Sequence, residues 1–83
     1  MAIEKLTGRA AIVTGGGAGI GGEIARTLAA DEAQVLIIDI DESTAAANVE
    51  RIRTAGGQAV AMVGDVAQEE VAKGMVERAV AEF

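Results

Sequence analysis

The glycine-rich segment 14–21 is the part of the sequence whose residue types and spacing most directly indicate chemistry. It reads Thr-Gly-Gly-Gly-Ala-Gly-Ile-Gly, between an apolar run and an amphipathic stretch. Glycine allows positive φ angles and a close approach of backbone to a ligand. A helix that begins after such a loop directs free N–H groups toward phosphates. The segment therefore predicts a loop that binds the pyrophosphate of a dinucleotide, the alternative being a flexible glycine turn without a ligand.

Asp39 is the second candidate binding residue. It follows an apolar run and lies 24 residues after Gly15, about where dinucleotide-binding folds place a carboxylate that binds the adenosine ribose. A carboxylate there repels a 2′-phosphate, and no Arg or Lys occupies Gly16, Gly17 or Ile40. We therefore expect NAD to be preferred over NADP. The alternative is that Asp39 caps a helix or lies in solvent.

Alternating strand and helix patterns must position these residues. Short, continuously apolar runs predict buried strands, and apolar residues at helical spacing predict a helix after each strand. The predicted strands are 10–14, 35–38 and 59–63, and the predicted helices run from about 20 to the turn at 31–33, from 41–43 to about 55, and from 68 to 83. This β-α-β-α-β-α order predicts an α/β fold, the N-terminal half of a doubly wound parallel Rossmann sheet with strand order 3-2-1.

The same patterns predict which faces are buried. The strand 10–14 is expected to be buried on both faces, and each helix is expected to pack one apolar face on the sheet. The predicted apolar faces are Ile20, Ile24, Ala25 and Leu28; then Ala45, Val49 and Ile52; then Val71, Ala72, Met75, Val76, Ala79, Val80 and Phe83.

The predicted strand order leaves the first strand at an edge. In that order 10–14 would be an uncovered apolar edge strand, which natural proteins avoid. We therefore expect residues 1–83 to form a partial NAD-binding Rossmann domain, truncated before its fourth strand, or an edge covered by a second copy. The alternative is that residues 1–9 fold back over this edge.

The composition excludes several kinds of site. The chain has no Cys, His or Tyr, so disulfides, thiolate zinc sites and the commonest general bases are absent, and no catalytic or metal-ligating residue is assigned. A net charge of −6 without a basic cluster argues against nucleic-acid binding. No apolar run approaches the length of a membrane span and the start lacks a signal-peptide pattern. We expect a cytoplasmic protein.

The whole chain resembles the N-terminal third of a short-chain dehydrogenase/reductase. That family's T-G-x-x-x-G-I-G pattern matches residues 14–21. Gly17, Gly19 and Gly22 also fit the general G-x-G-x-x-G fingerprint. The family pattern is the preferred alignment because its first glycine, Gly15, follows the predicted strand immediately.

The resemblance implies an adenine pocket and a reaction. In the family, a pair such as Asp65-Val66 borders the adenine, with the Asp near the exocyclic amine and the apolar residue on the ring; Asp65 could instead, or also, cap the last helix. The family transfers a hydride between nicotinamide C4 and an alcohol or carbonyl carbon. Its catalytic Ser, Tyr and Lys match no position here, so the chain is expected to be inactive alone. The predicted cofactor-binding residues are Gly15, Gly17, Ala18, Gly19, Ile20, Gly21, Asp39, Ile40, Asp65 and Val66.

Three hypotheses about function follow from the sequence. The favoured one is the NAD-binding portion of a short-chain oxidoreductase, which meets an alcohol or ketone substrate only if the chain continues and which forms homo-oligomers as a full-length protein. The second is a stand-alone dinucleotide-binding module without catalysis. The third is a truncated product that neither folds nor functions alone.

Overall fold

The computed structural model describes residues 6–65 and 67–83, in which three strands alternate with three helices. This order confirms the prediction, and β2 is one residue longer at each end than expected. The elements are β1 (Ala10–Thr14), α1 (Gly19–Ala30), β2 (Gln34–Asp39), α2 (Glu42–Thr54), β3 (Gln58–Val63) and α3 (Glu69–Glu82).

The strands form one parallel sheet in the order β1-β2-β3. Thr14 is level with Ile38, and Asp39 is level with Val63. Parallel neighbours require a crossover connection, which α1 and α2 provide. Because the three strands end together, the loops that follow them meet at one edge of the sheet. The architecture is the predicted half of a doubly wound Rossmann sheet.

The core has two layers, one on each face of β2. Alternate residues of a strand point to opposite faces. Val35 and Ile37 pack with the small and branched residues of α1 and α2, whereas Leu36 and Ile38 pack with Ala79 of α3. These four residues of β2 are each at most 1% exposed. The middle strand is therefore buried on both faces, and its continuous apolar sequence suits that position.

The prediction that β1 is buried on both faces is wrong. Val13 is its one buried residue, and Ile12 is 36% exposed. Within the described residues β1 pairs only with β2, and α3 lies mainly over β2 and β1 without enclosing them. An edge strand lacks a neighbour on one side, so its side chains keep contact with solvent.

Parts of the predicted helix faces are also exposed. On α1, Ile20 and Ile24 are 82% and 47% exposed, while the small residues Gly22, Ala25 and Ala29 are buried. On α3, Val76 and Val80 are exposed, and Ala79 is buried. Both helices carry more apolar residues than one face can bury. Where each helix comes closest to the sheet, only its smallest residues fit, and these are the buried ones. The predicted α2 face is buried as expected.

Candidate functional site

A cleft of about 130 Å³ lies at the carboxyl edge of the sheet, where open α/β sheets bind ligands. The ends of all three strands contribute to it. Of the predicted site residues, Gly15, Asp39, Ile40 and Asp65 line the cleft, together with Ile38 and Gly64. The remaining predicted glycines lie in the adjoining loop and the first turn of α1. Val66 lies outside the described residues.

The loop between β1 and α1 has the backbone that its glycines predict. Gly15 and Gly19 have φ angles of 64° and 60°, a backbone conformation that residues with a Cβ rarely adopt. A Cβ at Gly21 would press against the carbonyl oxygen of Gly15. The sheet anchors the loop, since the N–H of Gly15 donates to the carbonyl oxygen of Ile38 at 2.7 Å. The backbone therefore requires glycine at the three positions of the preferred alignment, Gly15, Gly19 and Gly21.

The N-terminus of α1 opens toward solvent beside this loop. Its N-cap, Ala18, has an extended backbone and no side chain that could cap the helix, and no acidic residue lies in the first turn. The first N–H groups of an α-helix have no acceptor within the helix. Their partial positive charge is therefore available to an anion.

Asp39 connects the end of β2 to the glycine loop. Its Oδ2 accepts a hydrogen bond from the N–H of Gly17, and its Oδ1 accepts one from the N–H of Asp41, both at 3.1 Å. A Cβ at Gly17 would lie 2.7 Å from Asp39 Oδ2, so only glycine allows this contact. Asp39 is thus neither a helix cap nor a residue surrounded by solvent.

The cap of α2 is Asp41. Its Oδ1 accepts hydrogen bonds from the Ser43 hydroxyl at 2.8 Å and the Thr44 N–H at 3.1 Å. The bond from Ser43 is the largest cause that holds the pKa of the Asp41 carboxyl below its ordinary value, and the bond from the Thr44 N–H is the next. With Asp41 in this role, the carboxylate of Asp39 is left to the loop and the cleft.

Asp65 lies across the cleft from Gly15, at the end of β3. Its Oδ1 accepts a hydrogen bond from the N–H of Ala67 at 2.9 Å, and its carbonyl accepts one from the N–H of Gln68 at 3.0 Å. The N-cap position of α3 is Gln68, without a side-chain bond. Asp65 therefore orders the turn before α3, and the alternative that it caps that helix does not hold.

Asn48 is a residue behind the loop that the sequence analysis did not select. Its side chain is 1% exposed. Its Nδ2 donates to the carbonyl oxygens of Gly16, at 2.7 Å, and Gly22, at 3.2 Å, and its Oδ1 accepts from Arg26 at 2.9 Å. A polar residue within the apolar stripe of an amphipathic helix was the signal that could have identified it.

The described residues contain no group of three acidic, Cys or His residues that could hold a metal ion. Nor does any helix in the ranges 6–65 and 67–83 have the length and apolar character that crossing a membrane demands. The cleft offers two carboxylates and an apolar wall, and the N-terminus of α1 beside it offers backbone N–H groups. These groups can bind and orient a ligand.

Comparisons with known proteins agree with this geometry. The family model for short chain dehydrogenases matches residues 9–83. An uncharacterized oxidoreductase of Methylorubrum extorquens is 46% identical over an alignment of 83 positions, which covers 98% of this chain and 33% of that protein. The 7alpha-hydroxysteroid dehydrogenase of Escherichia coli K12 is 40% identical over 79 residues, covering 95% of this chain and 31% of that protein.

Solved structures show the same fold. A hydroxysteroid dehydrogenase from Escherichia coli superposes with a TM-score of 0.91 at 40% identity, over 94% of this chain and 33% of that one. A 7 alpha-hydroxysteroid dehydrogenase in complex with NADH and 7-oxo glycochenodeoxycholic acid gives a TM-score of 0.90, over 93% of this chain and 30% of that one. The chain spans about a third of the length of the relatives it matches.

Proposed function

We propose, because this chain belongs to the short chain dehydrogenase family, that it forms the nicotinamide-dinucleotide-binding portion of an oxidoreductase acting on an alcohol or carbonyl substrate. The observation that carries the proposal is the meeting of Gly15, Asp39 and Asp65 at one cleft, with the N-terminus of α1 beside it. Similarity to oxidoreductases along nearly the whole chain favours this over a stand-alone binding module.

The pyrophosphate is assigned to the glycine loop and α1. Gly15, Gly17, Ala18, Gly19, Ile20 and Gly21 are the proposed contacts. The cradle fits the group, because positive φ angles and the absence of Cβ atoms leave the backbone open to the phosphates. The first turn of α1 supplies N–H donors and partial positive charge.

The adenosine is assigned to the ends of β2 and β3. Each carboxylate oxygen has two acceptor sites, so Asp39 can accept from ribose hydroxyls while it holds the backbone N–H groups of Gly17 and Asp41. Its negative charge disfavours a 2′-phosphate, which supports NAD over NADP. Ile40, 70% exposed, offers an apolar surface to the adenine. Asp65 and Val66 are the proposed residues on its other side.

In the proposed reaction, proton transfer would use groups other than the proposed cofactor-binding residues. When bound, the cofactor supplies or accepts a hydride at nicotinamide C4. This chain's residues bind and orient its adenosine and pyrophosphate, and none of them is assigned to proton transfer. We propose residues 1–83 as a partial NAD-binding Rossmann domain, which the relatives' threefold greater length supports. We also propose that the full-length protein acts on an alcohol or ketone, forms homo-oligomers and is cytoplasmic.

A pair of glycine substitutions tests the binding site. Gly19 and Gly56 both have positive φ angles, 60° and 92°, and a Cβ at either would meet no atom within 4 Å. Gly19→Ala and Gly56→Ala should therefore lose similar stability, about 1–2 kcal/mol. Only Gly19 lies at the start of α1, on the proposed pyrophosphate path; Gly56 lies at the far end of α2.

Calorimetric titration with NAD distinguishes the two variants. We expect Gly19→Ala to weaken NAD binding by about tenfold, equivalent to ~1.4 kcal/mol, and Gly56→Ala to leave it within twofold of wild type. Equal affinities in the two variants would show that the loop does not bind the cofactor.

A further inference from the structure

Asn48 is a buried polar side chain to which the proposed cofactor contacts assign no role. It projects from the apolar face of α2, between Ala45 and Ile52, and is 1% exposed. Its Nδ2 donates to the carbonyl oxygens of Gly16, in the glycine loop, and Gly22, in α1. Buried amides are retained where their hydrogen bonds are satisfied. Asn48 therefore ties three parts of the fold together: α2, the loop and α1.

The orientation of the Asn48 amide is fixed by its partners. Arg26 Nη1 donates to Asn48 Oδ1 at 2.9 Å. A guanidinium group can only donate hydrogen bonds, and the carbonyl oxygens of Gly16 and Gly22 can only accept them. Only one of the two amide orientations satisfies all three partners. Arg26 thus holds the two donors of Asn48 toward Gly16 in the loop and Gly22 in α1.

The peptide between Gly16 and Gly17 is held at both ends. Its carbonyl oxygen accepts from Asn48 Nδ2 at 2.7 Å, and its N–H donates to Asp39 Oδ2 at 3.1 Å. A peptide unit is planar, so fixing both ends fixes its rotation. This unit precedes Ala18, the N-cap of α1. Its orientation sets the path by which the loop reaches the helix N-terminus.

We propose that Asn48 is a positioning residue for pyrophosphate binding, which acts through the Gly16–Gly17 peptide with Arg26 as its support. A loop already held in its binding conformation loses less conformational freedom when the ligand binds. The inference rests on the proposed function, since it takes the loop to be the pyrophosphate site. It adds a residue that makes no contact with the ligand.

The primary test is Asn48→Leu, which has nearly the same shape but removes both donors without adding a charge. Binding of ADP and of adenosine is measured calorimetrically with the full chain of the protein. Adenosine reaches only the ends of β2 and β3, whereas ADP adds the pyrophosphate, so the ratio of the two dissociation constants isolates the loop. We expect the preference for ADP over adenosine to fall by about tenfold, because the loop is then less firmly held before the pyrophosphate binds and loses more conformational freedom on binding.

Ile52→Val is the matched control. Ile52 lies on the same face of α2 and is 3% exposed. It packs near Gly57, at the end of the helix away from the glycine loop. This variant loses stability through the same helix, and we expect its preference for ADP over adenosine to stay within twofold of wild type. A merely structural role for Asn48 would give the same result in both variants.

Arg26→Met keeps the inference testable if Asn48→Leu does not fold. It removes the donor to Asn48 Oδ1 and leaves the amide less firmly oriented. Arg51→Met is its charge-matched control, because Arg51 lines the same cavity between α1 and α2 as Arg26 and makes no bond to Asn48. We expect Arg26→Met to reduce the ADP preference about threefold, the effect of part of one hydrogen bond, and Arg51→Met to leave it unchanged.

The outcomes separate this inference from the proposed function. If wild type binds neither ADP nor NAD, the proposed function fails and the inference falls with it. If wild type prefers ADP to adenosine and the Asn48→Leu or Arg26→Met variant keeps the full preference, the positioning role alone is overturned. Selective loss of the preference in these two variants, with both controls unchanged, supports it.

Discussion

Replacing Asp39 by Asn should change cofactor preference, because it removes the charge of this side chain while keeping its shape. The carboxylate lines the cleft and accepts hydrogen bonds from two backbone N–H groups at 3.1 Å. In the variant, one amide oxygen can still accept, but the NH₂ group faces the other N–H. We expect about 1–3 kcal/mol loss of stability, which corresponds to a lower Tm by roughly 4–8 °C for each kcal/mol.

The effect on NAD and NADP has two parts. The ribose hydroxyls lose a charged acceptor, which weakens NAD binding by about 1 kcal/mol. A 2′-phosphate loses its repulsion by a carboxylate: unit charges about 4 Å apart interact by about 4 kcal/mol at an effective dielectric constant of 20. We take half of this, about 2 kcal/mol, because the half-buried Asp39 and the phosphate share a cleft open to solvent and salt. Together they shift the NAD-to-NADP preference by about 100-fold.

Calorimetric titration of both cofactors at one ionic strength measures this shift. Asp41→Asn is the control, since it removes one charge two positions along the chain and Asn also caps helices. Asp41 binds the first turn of α2 and does not line the cleft. We expect the cofactor preference of Asp41→Asn to change by less than about threefold, because only a screened long-range interaction between Asp41 and the 2′-phosphate is lost. If both variants kept the wild-type preference, Asp39 would not be the residue that recognises the ribose.

Two further predictions concern the loop and the α2 cap. Gly21→Ala should destabilise the protein by about 1–3 kcal/mol, because its Cβ presses on the Gly15 carbonyl. Gly22→Ala should lose less stability than Gly21→Ala, because its Cβ would lie 3.3 Å from the Gly17 backbone, a tight contact that the helix propensity of Ala partly offsets. Equal urea midpoints for the two variants would contradict the preferred glycine alignment. The hydrogen bond from Ser43, above all, lowers the pKa of Asp41, so this carboxylate stabilises the fold above its unfolded-state pKa and less as the pH falls through its folded-state pKa. Asp41→Ala should thus be less stable than wild type at pH 7 and approach it below about pH 3.9; a difference in thermal midpoint that persisted at pH 2 would show that the charge is not responsible.

Local patterns were sufficient to predict the order of elements and the loop. Short apolar runs and helical spacing are properties of neighbouring residues, and they place β1, α1, β2, α2, β3 and α3 within one or two residues of their observed ends. The glycines also act locally: the positive φ angles of Gly15 and Gly19 follow from a turn between a strand and a helix. Asp39 could be found because its place at the end of a strand is itself a local property.

Burial could be predicted only in part. The continuous apolar sequence of β1 resembles that of β2, yet Ile12 is 36% exposed and Leu36 is fully buried. The difference lies in the number of neighbouring strands, which no short pattern contains. Likewise Ile20 and Val80 fit a helical stripe and are exposed, because the sheet accepts only the smallest residues of those helices at close approach.

The sequence by itself determined an α/β half-sheet with a glycine loop and a carboxylate at the end of its second strand. Tertiary structure alone decided how that loop is held. Asn48 and Gly16 are 32 positions apart, and Asp39 and Gly17 are 22 apart. Both pairs meet only when α2 and β2 pack beside the loop. Hydrogen bonds between distant residues depend on how whole elements pack. The periodicity of residues within one element therefore cannot predict them.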